Sequence, residues 1–469
     1  MAGTLEALAE ACAQVQPLWA QLRLADRARY LRRASQAVID ELDELLDLLA
    51  DGLDRSPAEI AGLELLPAVD ALQWLADSGV RALGDRRLGA PRGSHPLTLA
   101  RMWWEPLGVV GILGAPEAPF AQPLWQVGAA LLAGNGVALA PHPRGELGAE
   151  RIARVFARAG LPEGLLAVAP AGAPFVPEGL AKAFLPGHET GRAAAAACAE
   201  AGVPAALDPG GGGGVLVLAD ASVGHAARGA ANAAFAAGGR ARGSAKRAWV
   251  ARELHDAWLA GVLAVAQAGR PATVPERAVE LVADAVGAGA RLQCGGPLGA
   301  GVFAPAVLTG VTADMAIARE GAEAPVLAVS AVSSTGGAIE AANATRLRGG
   351  ASVWTASRYE GQRIARELVT APTWLNDHPL GIALPAVPLA PGLGGEEGLR
   401  AYAAPDPVTW DPPAGPGFWW GPYDERFAAA ARAMARLRSA RDRDRERAWR
   451  EGGLPIARVA ARALRSRRG

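Results

Sequence analysis

Hydrophobic and polar residues follow a helical period in the first third of the chain. Between residues 24 and 53, Leu, Ile and Val recur every three or four positions, with charged residues between them. This spacing predicts amphipathic helices. From residue 108 onward, short apolar runs such as "GVVGIL", "GVALA", "AKAFL" and "GVLVLAD" are separated by amphipathic stretches. Alternating buried strands and helices are typical of a parallel sheet covered by helices on both faces.

The same alternation predicts how the chain divides. A second α/β region runs from about residue 238, with strands expected in "APVLAVSAV", "ASVWTAS" and "PTWLND". We therefore predict a Rossmann-type domain at residues 1–237, a second α/β domain at 238–404, and an extension at 405–469.

The extension combines a Pro-rich aromatic segment, "DPPAGPGFWWGPYDERF", with a predicted basic amphipathic helix. Its apolar positions are Ile456, Val459, Ala460, Ala463 and Leu464, and its basic positions are Arg458, Arg462 and Arg465. We expect this helix to dock on the body of the protein or on a neighbouring subunit. A membrane or nucleic-acid role is the alternative.

The net charge and the cysteine count limit which partners and which cellular compartment are expected. The 469 residues carry 47 basic and 47 acidic side chains, so no overall charge directs the chain to nucleic acid or membranes. The three cysteines, Cys12, Cys198 and Cys294, are far apart and predict neither a disulfide framework nor a metal site. A cytoplasmic protein is therefore expected. The uncharged segment 118–141 contains prolines and "GNG", and predicts a buried helix and strand rather than a membrane span.

A Gly-rich turn, "AFAAGGRARGSAKRAWV" at residues 234–250, lies between a predicted helix and a predicted strand. Turns of this kind usually present a small reactive side chain. Here the residue at the tip is Arg242, whose guanidinium stays protonated and only donates hydrogen bonds. The turn therefore raises the question of whether an active site is present.

Several motifs occur in the order typical of one family. They are "EPLGVVGILGAPEAPF", "ALLAGNGVALAPHP", "FLPGHETGR", "ALDPGG", "EGAEAPVLAV" and "APGLGGEEGLRAY". Across residues 5–404 the chain resembles the aldehyde dehydrogenase superfamily. The resemblance implies an α/β fold, with a Rossmann-type dinucleotide-binding domain, a second catalytic-type α/β domain and a late oligomerisation strand segment.

The resemblance also implies where a nucleophile should be. Members of the family oxidise aldehydes through a cysteine thiolate and pass a hydride to NAD(P). The family pattern F-x-N-x-G-Q-x-C-x-A-x-x-R-x-x-V aligns without a gap on Phe235, Gly239 and Arg247, and it places Arg242 at the cysteine. Ser244, two residues further on, has no evident base in the sequence. A relocated cysteine nucleophile is the alternative, against the expectation that Cys198 and Cys294 are structural.

Two further catalytic positions differ. The family's oxyanion-binding asparagine corresponds to Glu117, whose carboxylate would repel a developing alkoxide. The family's water-activating glutamate corresponds to Asp208, which keeps a carboxylate on a shorter side chain. By resemblance, no intact catalytic set remains.

The implied cofactor positions have also changed. The ribose-binding lysine is Ala140, and the first glycine of the phosphate loop is Pro186, which lacks an N–H. The later ribose-binding glutamate is Gly321, and the phenylalanine two residues on is Glu323. Gly187 and Gly210 occupy the remaining family positions. We expect no bound cofactor, or NAD(P) if the protein is nevertheless a dehydrogenase.

In this family the three altered catalytic positions converge on one point. Because an unpaired buried charge is costly, we predict that Arg242 bridges Glu117, Asp208 or both, and that Arg240 joins them. The alternative is a displaced loop with separately solvated side chains.

Three functions remain open from the sequence. The first is a non-catalytic family member that acts as a structural or regulatory subunit, in a homo-oligomer or with an active relative. The second is an NAD(P)-dependent aldehyde dehydrogenase with an unrecognised nucleophile. The third is an anion or small-molecule binder that uses Arg242 and Arg240 in the inherited cleft.

Overall fold

The computed structural model describes residues 4–53, 55–89, 98–208, 210–345, 349–411 and 423–465. The helices predicted from the hydrophobic pattern near the start of the chain are present. The helices are Leu5–Ala20, Leu24–Asp40, Leu42–Leu53, Pro57–Ile60, Leu66–Trp74 and Val80–Ala82, with π-helical turns at Ala61–Leu65 and Leu75–Gly79. The predicted amphipathic region is divided at Glu41, and residues such as Leu31, Val38 and Leu45 form its buried face.

The first sheet has five parallel strands. Their order is Leu166–Val168, Gly136–Ala140, Val109–Leu113, Lys182–Pro186 and Ala205–Asp208. The connecting helices are Ala121–Ala133, Glu146–Arg158 and Glu189–Glu200, with a 3₁₀ turn at Pro143–Gly145. Every residue of the helix Ala121–Ala133 is buried, which explains why this part of the chain carries no charge. In the part of the chain that the structure describes, no helix is long and apolar enough to cross a membrane.

The second sheet has eight strands. Seven lie in the order Ala272–Thr273, Val302–Thr309, Val326–Val332, Ala245–Ala251, Gly213–Val217, Ala351–Trp354 and Thr373–Leu375, and Arg291–Gly299 pairs with Val302–Thr309. Its helices are Val223–Phe235, His255–Ala268, Glu276–Gly287, Ala316–Glu320, Thr335–Asn343, Arg358–Glu367 and Gly395–Arg400, with a 3₁₀ turn at Ala236–Gly239. The strands expected in "APVLAVSAV", "ASVWTAS" and "PTWLND" are all present.

Sheet membership differs from the predicted division at residues 237/238. Strand Gly213–Val217 pairs with Ala245–Ala251 on one side and Ala351–Trp354 on the other, so it belongs to the second sheet. The apolar pattern of a strand does not determine which of two sheets the strand joins. The two sheets together lie in one compact unit, residues 1–83 and 106–404, which has the α/β fold that the motifs imply.

The remaining compact unit comprises residues 84–105 and 405–469. Strands Arg86–Leu88, Leu99–Pro106 and Ala403–Trp410 form a three-stranded sheet, with Leu99–Pro106 in the centre. Helices Glu425–Arg436 and Asp442–Arg465 pack against each other. Most of the Pro-rich aromatic segment, residues 412–422, lies outside the described residues.

The predicted basic helix packs through one face. Val459 is buried and Arg458 is exposed, while the side chains of Arg462, Ala463, Leu464 and Arg465 lie outside the described part. At Gly452 a Cβ would lie 2.0 Å from the Cβ of Ala433, so glycine allows the two helices to approach closely. The apolar face of this helix is therefore used, at least in part, within the chain.

Candidate functional site

A cleft of about 970 Å³ lies between the two sheets of the larger unit. Glu117, Gly187 and Asp208 lie at or just after the carboxyl ends of strands of the first sheet, and they line the cleft. Arg240 and Arg242 line it from the Gly-rich turn before strand Ala245–Ala251. Ligands of open α/β sheets bind at the carboxyl ends of their strands. This cleft is therefore the candidate functional site.

The Gly-rich turn keeps the conformation that its glycines suggest. Gly239 has φ +69°, and a Cβ there would lie 2.2 Å from the carbonyl oxygen of Ala324. Any other residue would be strained and would clash with backbone. Ala237 also has positive φ, +53°, and its N–H donates to Glu59 Oε1 at 2.8 Å. The turn is therefore held in place on both sides, with Arg242 directed into the cleft.

Arg242 and Asp208 form a buried two-point ion pair. Arg242 Nε donates to Asp208 Oδ2 at 2.9 Å, and Arg242 Nη2 donates to Oδ1 at 3.1 Å. Both residues are 8% exposed. The Gly210 N–H also donates to Asp208 Oδ1, at 2.9 Å, and Arg242 Nη2 donates to the Leu389 carbonyl, at 2.8 Å. The charges are thus paired and hydrogen-bonded, the arrangement in which burial is tolerable.

The predicted bridge to Asp208 is confirmed, and the bridge to Glu117 is not formed. Among the described residues, the ion pair of Arg242 is with Asp208 alone. Asp208 occupies the edge of the guanidinium formed by Nε and Nη2. A second carboxylate would need the opposite edge, where the Leu389 carbonyl already accepts a hydrogen bond from Nη2. Arg240 donates to the Thr273 carbonyl from the cleft wall.

His378, which was not identified as a site residue from the sequence, holds the Gly-rich turn through hydrogen bonds. The Gly243 carbonyl can only accept, so His378 Nε2 carries the hydrogen and donates to it at 2.8 Å. Nδ1 then accepts from Ser352 Oγ, also at 2.8 Å. Burial lowers the pKa of His378, which keeps the ring neutral in this network. The backbone that carries Arg242 is therefore tied to strand Ala351–Trp354.

Glu117 lies half-buried in the loop after strand Val109–Leu113. Burial raises the pKa of its carboxyl to about 7, helped by the charges of Asp208 and Glu323 and opposed by Arg242. A carboxyl with this pKa can donate or accept a proton near neutral pH. As an alkoxide-binding group it would be unsuitable whenever ionised.

Replacing Glu117 with glutamine is expected to change how stability depends on pH. With a pKa of about 7 in the folded protein and 4.5 as the ordinary value, folded Glu117 holds more proton than unfolded Glu117 between these pH values. Its contribution therefore falls as pH rises through that range. Urea denaturation at pH 5, 6, 7 and 8 should show wild type losing stability relative to Glu117→Gln. Parallel curves for the two proteins would contradict the raised pKa.

A second buried ion pair positions the Glu117 loop. Arg55 Nη1 donates to Glu64 Oε1 at 3.2 Å, and Arg55 Nη2 donates to the Glu117 carbonyl at 2.7 Å. Glu64 Oε2 accepts from the N–H groups of Phe120 and Ala121, at 3.3 and 2.8 Å, where helix Ala121–Ala133 begins. A carboxylate suits a helix N-terminus, because it satisfies free amides and complements the dipole. No local sequence signal predicts this pair, because its partners Arg55 and Glu64 lie far in sequence from the Glu117 loop that they position.

Lys246 is the other cleft residue that sequence reasoning missed. Its ammonium donates to the carbonyl of Gly239 and, at 3.2 Å, to that of Ala324. Burial lowers its pKa to about 8, with Arg240 acting in the same direction and Glu323 against it. The available signal was composition: the chain has two lysines among its 47 basic residues.

The six implied cofactor positions have different surroundings. Pro186, Gly187, Gly210, Gly321 and Glu323 border the cleft. Ala140 is 2% exposed and offers only a methyl group. Pro186 pairs with Asp208 in the sheet, and the Gly187 carbonyl accepts from Arg192 at 2.6 Å. The side chains at Ala140 and Gly321 supply no hydrogen-bond donor or acceptor for a ribose.

The surroundings of the alternative nucleophiles, Ser244 and the cysteines, do not favour their reactive forms. Ser244 borders the cleft but is 1% exposed, and among the described residues its hydroxyl has no hydrogen-bond partner that could serve as a base. Burial raises the pKa of all three cysteine thiols, that of Cys12 to about 11, and none of them borders the cleft. Within the described ranges, no group of three or more His, Cys, Asp or Glu could hold a metal ion.

Comparison with known proteins agrees with the motifs. The chain is 30% identical over 426 residues to betaine aldehyde dehydrogenase of Cereibacter sphaeroides, covering 85% of this chain and 86% of that protein. It is 28% identical over 422 residues to 4,4'-diapolycopene aldehyde oxidase of a Methylomonas species, covering 83% and 78%.

Solved structures match the fold. An NAD-dependent aldehyde dehydrogenase from Sinorhizobium meliloti has a TM-score of 0.81 at 23% identity, covering 89% of this chain and 88% of that one. An NAD⁺ complex of aldehyde dehydrogenase from Bacillus cereus has a TM-score of 0.79 at 23% identity, covering 87% and 88%. The model of the aldehyde dehydrogenase family matches residues 2–389, and with this match over most of its length the chain belongs to the aldehyde dehydrogenase family.

Proposed function

We propose that this protein does not oxidise aldehydes and instead serves as a structural or regulatory subunit, in a homo-oligomer or beside an active relative. The observation that carries the proposal is the Arg242–Asp208 pair. At the position of the family's thiolate stands a group that cannot attack a carbonyl, held by three hydrogen bonds. In a serine protease, loss of the nucleophile costs about 10⁶ in kcat.

The Arg242–Asp208 pair also affects the hydrolysis step of the family's reaction. Asp208 stands where a water-activating glutamate is expected, and both of its oxygens accept hydrogen bonds from Arg242. With both oxygens already accepting hydrogen bonds, the carboxylate is not free to accept one from a catalytic water. Thiohemiacetal formation and hydrolysis would therefore each lack their reacting group.

NAD(P) fits the cleft poorly in this proposal. The buried methyl of Ala140 and the bare backbone of Gly321 replace two ribose-binding side chains, and Pro186 removes a phosphate-loop N–H. We therefore propose that no dinucleotide is held as in the relatives, although two of the solved relatives are NAD⁺ complexes.

An active dehydrogenase is the competing function, supported by the names of the relatives. An anion-binding role based on Arg242 is less well supported, since its Nε and Nη2 donors are already used within the protein.

The test combines binding and turnover. We expect calorimetry to detect no NAD⁺ or NADP⁺ binding, and propanal to give no reduction of either cofactor above background. We expect Arg242→Cys, checked for folding by circular dichroism, to remain inactive because Glu117 still occupies the position of the family's oxyanion-binding asparagine. Tight cofactor binding with aldehyde-dependent reduction in the natural protein would overturn the proposal. Light scattering and co-purification then test the subunit role.

A further inference from the structure

Lys246 differs from nearly every other basic residue of the chain in the chemistry that it permits. Arginine supplies 45 of the 47 basic side chains, and Lys182 is the other lysine. A guanidinium stays protonated in proteins, whereas an amine can lose its proton and act as a nucleophile. One of the two positions that carry an amine borders the cleft.

The surroundings of Lys246 favour a neutral amine. Its partners are two backbone carbonyls, of Gly239 and Ala324, which hold the group without a direct ion pair among the described residues. Because burial lowers its pKa to about 8, a substantial fraction is neutral near physiological pH. An ordinary lysine, with a pKa of about 10.4, has on the order of 10² less neutral amine.

The backbone leaves room for this side chain. At Gly212 a Cβ would lie 2.1 Å from Lys246 Cγ, so the lysine stem passes over a glycine. Glu117, whose carboxyl has a pKa of about 7, borders the same cleft. The cleft thus combines an amine that can be neutral with a carboxyl that can be protonated at the same pH.

We propose that Lys246 is the carbonyl-binding group of this cleft and forms a reversible imine with aldehydes. The inference goes beyond the proposed subunit role and does not depend on it, because imine formation uses neither a thiol nor a dinucleotide. It gives the inherited cleft a ligand class, aldehydes, without oxidation.

The step balances without a redox partner. The neutral Nζ adds to the carbonyl carbon, and proton transfer from nitrogen to oxygen gives a carbinolamine. The C–O bond then breaks as the protonated carboxyl of Glu117 gives its proton to the departing hydroxyl, and water leaves. Lys246 and the aldehyde carbon are left joined by a C=N bond whose nitrogen keeps its hydrogen and a positive charge, balanced by the ionised Glu117 carboxylate, and hydrolysis reverses the sequence.

The experiment is reductive trapping of the full chain. The protein is incubated with propanal and cyanoborohydride between pH 6.5 and 9, and propylated residues are located by peptide mass mapping. Burial lowers the pKa of Lys182 as well, but its Nζ donates to the Ala401 carbonyl outside the cleft and away from Glu117, so we expect Lys246 to be propylated at least about tenfold faster. Because the step needs both the neutral amine of Lys246 and the protonated carboxyl of Glu117, the rate at Lys246 should be highest between pH 7 and 8 and fall on either side.

Three variants separate this chemistry from simple exposure of an amine. Lys246→Arg keeps the charge and the donors and should abolish the cleft adduct, while Lys182→Arg should leave it unchanged. Glu117→Gln should slow trapping by about tenfold or more without removing the lysine. Equal labelling of the two lysines, or labelling of Lys246 that is unaffected by Glu117→Gln and shows no maximum between pH 7 and 8, would overturn the proposal. NAD(P) is absent throughout, so the result is independent of whether the protein is a dehydrogenase.

Discussion

Arg242→Met is expected to lower the free energy of unfolding by about 3–5 kcal/mol. The substitution removes the guanidinium and leaves Asp208, 8% exposed, with the Gly210 N–H as its remaining hydrogen-bond partner among those described. An uncompensated buried carboxylate carries a large desolvation cost, and this cost is the main source of the loss. Urea denaturation at pH 7.5 measures it directly.

A double variant distinguishes a stranded charge from lost packing. Asp208→Asn removes the charge and keeps an oxygen that can accept from Gly210, so Arg242→Met/Asp208→Asn should recover about half or more of the lost stability. Arg277→Met is the matched control, because its partner Glu320 and Arg277 are both about half exposed at the same cleft. Its effect should be far smaller. Additive losses in the double variant would show that the pair contributes nothing as a pair.

Glu64→Ala is expected to cost a similar amount, about 3–5 kcal/mol. It leaves Arg55 buried beside an empty space and removes the acceptor for two amides at the start of helix Ala121–Ala133. Since Arg55 also donates to the Glu117 carbonyl, the Glu117 loop should loosen as well. Thermal and urea unfolding give the cost, and hydrogen exchange at Phe120 and Ala121 gives its location.

Two further variants define the origin of that cost. Glu64→Gln keeps an oxygen for the amides but loses the charge, so its loss should lie between those of wild type and Glu64→Ala. Asp77→Ala removes a well-exposed partner of Arg32 and should have little effect. If Glu64→Ala were as mild as Asp77→Ala, the pair would not be needed to hold the helix start.

The sequence predicted those features that leave a local signature. The Gly-rich turn was recognisable because Gly239 must adopt positive φ beside the Ala324 carbonyl, a need that fixes the residue type. The pair of Arg242 with Asp208 could be predicted because both residues fall on family positions that converge, and because a lone buried charge is unfavourable. The strands were predictable from their length and apolar content.

Other features depend on contacts between distant parts of the chain. Strand Gly213–Val217 has the same apolar pattern whichever sheet it joins, so its place in the second sheet could not be predicted. His378 and Glu64 gain their roles from Gly243 and Phe120, which lie far away in sequence. Lys246 was visible only as a rarity in the composition. Its low pKa depends on burial that the sequence does not display.

The Arg242–Asp208 pair has a consequence for how this protein could change over evolutionary time. A single mutation that restored cysteine at position 242 would also strand the carboxylate of Asp208, so the intermediate would be less stable than either neighbour. Regaining a thiol thus requires a second change at Asp208, or prior stabilisation elsewhere, before selection could act on any activity. The ion pair that stabilises the cleft also makes a change to cysteine at position 242 difficult.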